Sequence, residues 1–311
     1  MEMKSKIARI LRERDSFEIL THVQPDEDAV GSTRALGLAL QAMGKAVDIV
    51  YPDPVPRSLD FTEAPIRADG TNPAVSIVVD LSDPVMLGGV NPRGEVIVID
   101  HHRGEGLFGA FRWIDPTRSS SAEMVYELLC TLETDITPAI ATNLYMGLFG
   151  DTGGFMHANT TKEVFGIAHD LVSKGADPHA VAYRIKKTRA LAFYKLLCAA
   201  VNRLVIRDRV LASYVTHEEI TRFGARAEDT SGIVEEMASL DGVDLVIFLK
   251  EVSRGTIKAS LRSRVKDAAL NTAAAFGGGG HGLAAGCTLS GTPEAVVVEM
   301  IEEGVKWVRT A

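Results

Sequence analysis

Cysteine is scarce in this chain. Cys130, Cys198 and Cys287 are the only three in 311 residues, odd in number and far apart. A disulfide framework and a cysteine-based metal motif are both excluded, and reduced, buried thiols in the cytoplasm are expected. Long apolar runs are missing as well, so no segment is expected to span a bilayer. The first residues lead into an amphipathic pattern (Ile7, Ile10, Leu11) rather than the apolar core of a signal peptide. Net positive charge is absent: the formal balance is −8. Proteins that grip long nucleic acid carry a basic face, so the balance argues for a small anionic partner over a long polymer. There is no internal repeat, and no low-complexity tract beyond four consecutive glycines.

What is present is ordinary globular composition, 46% hydrophobic and 24% charged, long enough for two cores. Short β-branched runs at 17–21, 47–51, 75–79 and 95–99 read as strands, with helical patterns at 2–14, 28–43, 119–133, 138–149, 161–174 and 178–187. Strands separated by helices imply an α/β fold built on a parallel sheet with helices on both faces. Residues 190–201 read as a connector helix. A smaller α+β part follows, with strands at 204–206, 210–215, 243–251, 256–261 and 287–289 and helices at 230–240, 266–276 and 293–308. The expected division is a first domain over 1–187, a connector over 188–202 and a second domain over 203–311.

Four acidic or acidic–histidine segments each follow an apolar stretch. His22-Val23-Gln24-Pro25-Asp26-Glu27-Asp28 follows the first strand. Asp80 follows Val75–Val79, and Asp100-His101-His102 follows Val96–Ile99. Asp151-Thr152-Gly153-Gly154 follows a helical pattern. Parallel strands deliver the residues after them to one rim of the sheet, where ligands bind. Singly, each segment has a plain structural reading: Asp28 as a helix N-cap, Asp80 as a turn former, Asp151 at a helix end. Their joint occurrence is what those readings fail to explain. Two adjacent histidines are unusual in a chain with eight, and Asp100 is placed to fix the tautomer of one of them. His22, Asp26, Asp28, Asp80, His101 and Asp151 comprise four carboxylates and two imidazoles. Oxygen-rich ligands with some nitrogen suit Mn²⁺ or Mg²⁺, with Co²⁺, Zn²⁺ or Fe²⁺ as alternatives. Six ligands with carboxylates able to bridge suit a pair of divalent ions clamping a phosphoryl group. Gly277-Gly278-Gly279-Gly280 exposes backbone N–H groups suited to an anion, His281 adds a directional donor, and Arg262 and Arg264 offer further phosphate contacts. Ser119–Ser121 read as N-capping residues, and His157 and Asn159 lie just past the last segment.

These segments resemble the motifs of the DHH phosphoesterase superfamily: His-x-x-x-Asp-x-Asp, a lone Asp, Asp-His-His, and a final Asp followed by Thr-Gly. Residues 277–286 resemble the signature of the associated C-terminal domain in the nanoRNase and phosphoadenosine-phosphatase branch. Glu27 stands where a small residue is expected. The resemblance implies one metal on His22, Asp26, Asp80 and Asp151, and another on Asp28, Asp80, His101 and Asp151, with Asp80 and Asp151 bridging. It implies that His102 contacts the scissile phosphate and that water is the nucleophile, with no covalent intermediate. It places the active cleft between the domains, the second holding the part of the substrate that is not cleaved, and it admits a homodimer. The activity expected is hydrolysis of short oligoribonucleotides or linear dinucleotides to nucleoside monophosphates, and release of the 3′-phosphate of adenosine 3′,5′-bisphosphate, with Mn²⁺ preferred. Alternatives are a cyclic dinucleotide phosphodiesterase and a catalytically silent nucleotide sensor; long nucleic acid and membranes are not expected partners.

Overall fold

The computed structural model describes residues 3–66, 72–102, 108–280 and 282–309. His281 therefore lies outside the described residues. One compact unit extends to Thr188 and a second begins at Arg189.

In the first unit, α1 (Met3–Glu13) precedes β1 (Ser16–Leu20), α2 (Glu27–Ala42), β2 (Ala46–Val50), β3 (Val75–Val79), β4 (Glu95–Asp100) and β5 (Phe111–Ile114). Helices α3 (Ser121–Leu132), α4 (Pro138–Asp151), α5 (Lys162–Ser173) and α6 (Pro178–Lys187) complete it. Helix starts are chemically marked: Asp26, Ser120, Thr137, Thr161 and Asp177 each accept a backbone N–H in the first turn. The five strands are parallel, in the order β2-β1-β3-β4-β5. Strand β5 has no counterpart among the expected elements. It is short, half-buried and at the sheet edge, so its sequence carries little alternation.

The order reverses between β1 and β3. Right-handed crossovers that travel in opposite directions along a sheet lie on opposite faces. The α2 crossover from β1 to β2 lies on the face of Phe17, Ile19, Ile77 and Ile97, which all four helices α1–α4 share. The opposite face, with Leu20, Val78 and Val98, is covered by Leu81, Leu87, Val90 and Phe108. Helices thus lie on both faces, as expected: α-helices on one and, among the described residues, the short 3₁₀ helix Pro84–Leu87 on the other. The β3–β4 connection contains two prolines and three glycines, which rule out a longer helix.

Helices α2 and α4 approach to backbone contact. A Cβ on Gly31 would lie 2.4 Å from Asn143 O and 2.9 Å from Gly147 N. This contact sets the position of Asp28 against α4.

The second unit holds α7 (Leu191–Val201), β6 (Val205–Arg207), β7 (Val210–Val215), α8 (His217–Arg222), α9 (Ile233–Ala238), β8 (Leu245–Ser253), β9 (Thr256–Ser263), α10 (Ala268–Ala274), β10 (Gly279–Gly280), β11 (Ala284–Ser290) and α11 (Pro293–Arg309). Its sheet is mixed, ordered β10-β11-β9-β8-β7-β6, with only β7 and β8 parallel. Leu245, Ile247 and Leu249 pack one face against α10 and α11. Val246 and Phe248 pack the other against α7, α8 and α9. Phe193, Leu196 and Ala200 of α7 sit in that second cluster, so the stretch read as a connector contributes to the core of this unit. The cysteines are free, as expected, but only Cys287 is buried; Cys130 and Cys198 are exposed.

Replacing Gly31 by Ala should cost about 1–3 kcal/mol by overpacking the α2–α4 contact, read from urea denaturation. Gly166→Ala in α5, where nothing lies within 4 Å of the added methyl, is the matched control and should gain up to about 1 kcal/mol. Equal denaturation midpoints for the two variants would show that the helices separate freely.

Candidate metal centre

The strand-order reversal brings the ends of β1 and β3 together, and β4 ends beside β3. This is the switch-point crevice of an open parallel sheet, where connections leave in opposite directions. Asp80 and His101 follow β3 and β4 directly, and His22 follows β1 with one residue between. Helix α2 supplies Asp26 and Asp28 at its start, and α4 supplies Asp151 as its last residue.

Two donor triads result. His22, Asp26 and Asp80 form one, and Asp28, His101 and Asp151 form the other; within each, the ligand atoms lie within 4.8 Å of one another. Asp80 also groups with His101 and His102. His22 Nε2 is 3.4 Å from Asp80 Oδ2 and 3.9 Å from Asp26 Oδ1. His101 Nε2 is 2.9 Å from Asp151 Oδ2 and 3.5 Å from Asp80 Oδ1. All six residues singled out as candidate ligands therefore meet at this rim. A geometric detail fits a cation: His101 Nε2 is buried and makes no hydrogen bond of acceptable geometry, although carboxylates surround it. With oxygen-rich donors and imidazole nitrogens, the set suits a divalent ion of the Mn²⁺ or Mg²⁺ type.

Each ligand has a scaffold of its own. Asp26 is the N-cap of α2; its Oδ1 accepts the N–H groups of Asp28 and Ala29, both at 3.0 Å. Asp28, for which a cap of its own helix is the plain structural alternative to a ligand role, meets the start of another helix. Its Oδ2 and Oδ1 accept the N–H groups of Ser121 at 2.6 Å and Ala122 at 2.8 Å in the first turn of α3. Asp80 is buried and left-handed, with φ 65°, a conformation that Asp tolerates better than most residues. The Ser121 hydroxyl donates to its Oδ1 at 3.0 Å. In the Ser119–Ser121 run, Ser120 caps α3 and Ser119 bonds Glu123, so only Ser121 faces the centre. His22 Nδ1 lies 2.8 Å from Val23 O, which directs Nε2 toward the carboxylates. The Asp151 carbonyl accepts from Asn159 Nδ2 at 3.2 Å, and the same amide donates to Ser119 O at 3.1 Å. His157 Nδ1 is 3.2 Å from the Asp151 carbonyl. These two residues thus hold the backbone of Asp151.

Asp100 is fully buried, and its Oδ1 accepts the His102 N–H at 3.1 Å and lies 2.7 Å from His102 Nδ1. His102 remains about one-third exposed, at 36%. It is the more exposed of the two imidazoles, while His101 faces the carboxylates.

Electrostatics follow from the crowding. Burial alone would lower the His22 pKa, but Asp80 and Asp26 outweigh it and push it up to about 10. For His101, burial is likewise overcome by Asp151 and Asp80, and the pKa rises to about 12. His102 is raised by Asp100 against the same burial. Asp28 is held well above the usual range by burial and by the charges of Asp80 and Asp151. Asp80 goes the other way: burial would raise it, but His101 and His22 hold it well below the usual carboxylate range. The imidazoles carry the countercharge that a divalent ion also provides.

The substrate-side candidates are placed apart from this rim in sequence and element. A Cβ on Gly278 would lie 2.2 Å from Gly286 O, and one on Gly280 would lie 2.6 Å from Ala284 O, so these two glycines let β10 fold onto β11. Gly277 and Gly279 have open space around them. Arg262 donates to Glu235 at 2.7 Å, and Arg264 to the carbonyls of Ala238 and Leu240, both at 3.1 Å.

A parallel sheet with an acid- and imidazole-lined switch point, followed by a mixed-sheet unit, defines the class: the chain belongs to the DHH family. The family's N-terminal domain matches residues 16–148, and a DHHA1 domain matches residues 207–309. The bifunctional oligoribonuclease and PAP phosphatase NrnA of Thermus thermophilus is 32% identical over 295 residues, covering 93% of this chain and 88% of that protein. The protein of the same name from Bacillus subtilis is 27% identical over 302 residues, covering 94% and 95%. The crystal structure of an exopolyphosphatase-related protein from Bacteroides fragilis has a TM-score of 0.89 at 26% identity, covering 99% of this chain and 97% of that one.

Thr152 ends α4 directly after Asp151; its buried hydroxyl donates to Leu148 O at 2.6 Å and accepts from Phe155 N at 3.0 Å. Thr152→Val keeps the volume but strands the Phe155 N–H, and should cost about 1–3 kcal/mol. Thr152→Ser keeps both bonds and loses one methyl, at about 1 kcal/mol. Thermal unfolding of both checks this; a more stable Val variant would deny the hydrogen bonds their role.

Proposed function

We propose that this chain is a divalent-metal-dependent phosphoesterase of short nucleotide substrates. It hydrolyses short oligoribonucleotides or linear dinucleotides to nucleoside monophosphates, and converts adenosine 3′,5′-bisphosphate to AMP and phosphate. The observation that carries the reading is the pair of triads, His22–Asp26–Asp80 and Asp28–His101–Asp151, built on one rim. The names of the Thermus and Bacillus relatives, which cover most of the chain, support the substrate class.

In this reading the two triads would hold two divalent ions, Asp80 and Asp151 would serve both, and Mn²⁺ would be preferred over Mg²⁺ or Co²⁺. When bound, such ions supply a water nucleophile at neutral pH and offset charge on the phosphoryl oxygens. The chain's own residues do the rest. Asp100 accepts the Nδ1–H of His102, fixes the ring and favours its protonated form, so that His102 Nε2–H is a donor for the scissile phosphate. Asn159 and Ser121 keep Asp151 and Asp80 in place. The tetraglycine run, His281, Arg262 and Arg264 hold the nucleotide that is not cleaved. With a net charge of −8, the chain has little general attraction for long polyanions, which favours the short substrate. No helix among the described residues is long and apolar enough to cross a membrane, and the unpaired thiols fit the cytoplasm.

Purified protein with Mn²⁺ should cleave pApA and adenosine 3′,5′-bisphosphate in preference to a 24-mer RNA, and EDTA should abolish both activities. Faster turnover of the 24-mer, or of a cyclic dinucleotide, would overturn the substrate assignment. The ligand set has a separate test. Asn caps helices about as well as Asp, so Asp26→Asn should leave stability within about 0.5 kcal/mol. Calorimetric titration of this variant with Mn²⁺ should nevertheless show at least ten-fold weaker binding. Unchanged affinity would remove Asp26 from the site.

A further inference from the structure

Helix α7 has apolar residues on two sides. Phe193, Leu196 and Ala200 lie in the core of the second unit. Leu191, Tyr194, Lys195 and Cys198 follow the three- and four-residue spacing of a second side. Leu191 and Tyr194 there are 70% and 53% exposed. This side forms one wall of a cavity of about 560 Å³; Glu219 and Arg222 of α8, with Phe223 just after it, form the other. Sites for small molecules commonly measure about 300–1,000 Å³. Among the described residues that line the cavity there is none from the metal centre, and Arg262, Arg264 and residues 277–280 are not among them either.

The lining is cationic in a chain whose formal charge is −8: Lys195, Arg203 and Arg222 stand against Glu219 alone. Glu219 is already committed. It accepts from Arg203 Nη1 at 2.8 Å and Nη2 at 2.6 Å, and Nη1 also reaches Tyr214 O at 3.4 Å. The second fork of that planar guanidinium, Nε–H with the other Nη2–H, has no hydrogen bond among the described residues. Such a fork matches two oxygens of a phosphate. Lys195 Nζ and Arg222 Cζ lie 5.8 Å and 4.8 Å from the centroid of the Phe223 ring, so two further cations converge on one aromatic side chain. An inorganic anion would answer the cations and leave the apolar wall wet. A purely apolar ligand would cover the wall and take the cations out of water without a partner. A flat aromatic group carrying a phosphate satisfies both, with the exposed Tyr194 ring as its stacking surface.

We infer that the cavity between α7 and α8 is a second nucleotide site, separate from the substrate path, which takes a nucleoside monophosphate with its base on Tyr194 and its phosphate among Lys195, Arg203 and Arg222. The preference for an aromatic anion rests on the cavity alone. The choice of a nucleoside monophosphate rests on the proposed phosphoesterase reading, whose product it is.

The three cysteines supply the test. Cys198 lines the cavity, Cys130 is an exposed thiol of the first unit, and Cys287 is buried. Wild-type protein in EDTA is alkylated with iodoacetamide, and each thiol is followed by peptide mass spectrometry. AMP should slow modification of Cys198 at least five-fold and leave Cys130 unchanged. Adenosine and inorganic phosphate, at the same concentration, should protect far less. Lys195→Met and Arg222→Met should each raise the half-protecting AMP concentration at least ten-fold, with an unchanged Cys287 rate showing that the variants are folded; if either variant exposes Cys287, Lys195→Gln or Arg222→Gln takes its place. No protection by AMP overturns the inference. Equal protection by adenosine reduces the cavity to an apolar groove, and equal protection by phosphate reduces it to a plain anion cradle; both overturn it. Protection that grows with protein concentration in the absence of AMP assigns the cavity to a second copy of the chain, and overturns it too. Hydrolysis of pApA by wild type with Mn²⁺ separates the two proposals. Inactivity with AMP protection intact refutes the phosphoesterase reading alone, whereas activity without protection refutes this site alone.

Discussion

Asp28 and Asp80 are carboxylates almost without water contact, set at the point where a parallel sheet reverses its strand order. Their burial is the constraint around which the first unit is arranged. Charge removed from water must be met by donors or countercharge. Asp28 is met by two N–H groups at the start of α3, where the helix dipole also favours an anion. Asp80 is met by the Ser121 hydroxyl and by flanking imidazoles. Both solutions draw on one turn of backbone, residues 120–122. A displacement of α3 would therefore strand two carboxylates together, and the close α2–α4 packing at Gly31 keeps Asp28 in register with that turn.

Much of this was legible in the sequence, because the strongest signals were local. Apolar runs of β-branched residues marked β1 to β4, and the residues directly after three of them are those now found at the rim. Asp26 and Asp28 illustrate the limit. Both were visible as acids near a helix start, yet spacing alone did not reveal that Asp26 caps α2 while Asp28 meets α3, since the second contact joins residues more than ninety positions apart. Ser121 was hidden for a related reason. In a run of three serines before a helix, capping explains the composition, and only the tertiary structure distinguishes Ser120, which caps, from Ser121, which bonds Asp80.

Strand β5 and the covering of the second face were illegible for different reasons. Phe111–Ile114 has four residues and one neighbour, too short for a periodic signal. The 3₁₀ turn at Pro84–Leu87 replaces a helix because the sheet's handedness requires a crossover on that face while the local sequence denies it helical length. The tetraglycine shows local composition underdetermining role. Gly278 and Gly280 are required by close approach to β11, Gly277 by its left-handed backbone at φ 75°, and Gly279 by neither, and nothing in four identical residues separates them.

The first unit follows a physical logic that composition conceals. At one rim it concentrates four carboxylates and two imidazoles, His22, Asp26, Asp28, Asp80, His101 and Asp151, until a cation is the natural partner. The arrangement is unfavourable by itself and becomes favourable with a ligand of the opposite sign, the expected mark of a site in which stability is exchanged for binding. A net charge of −8 does not describe that rim. It averages the acidic crevice with the rest of the chain, so the local crowding of buried charge, and not the overall balance, sets what this part of the molecule can bind.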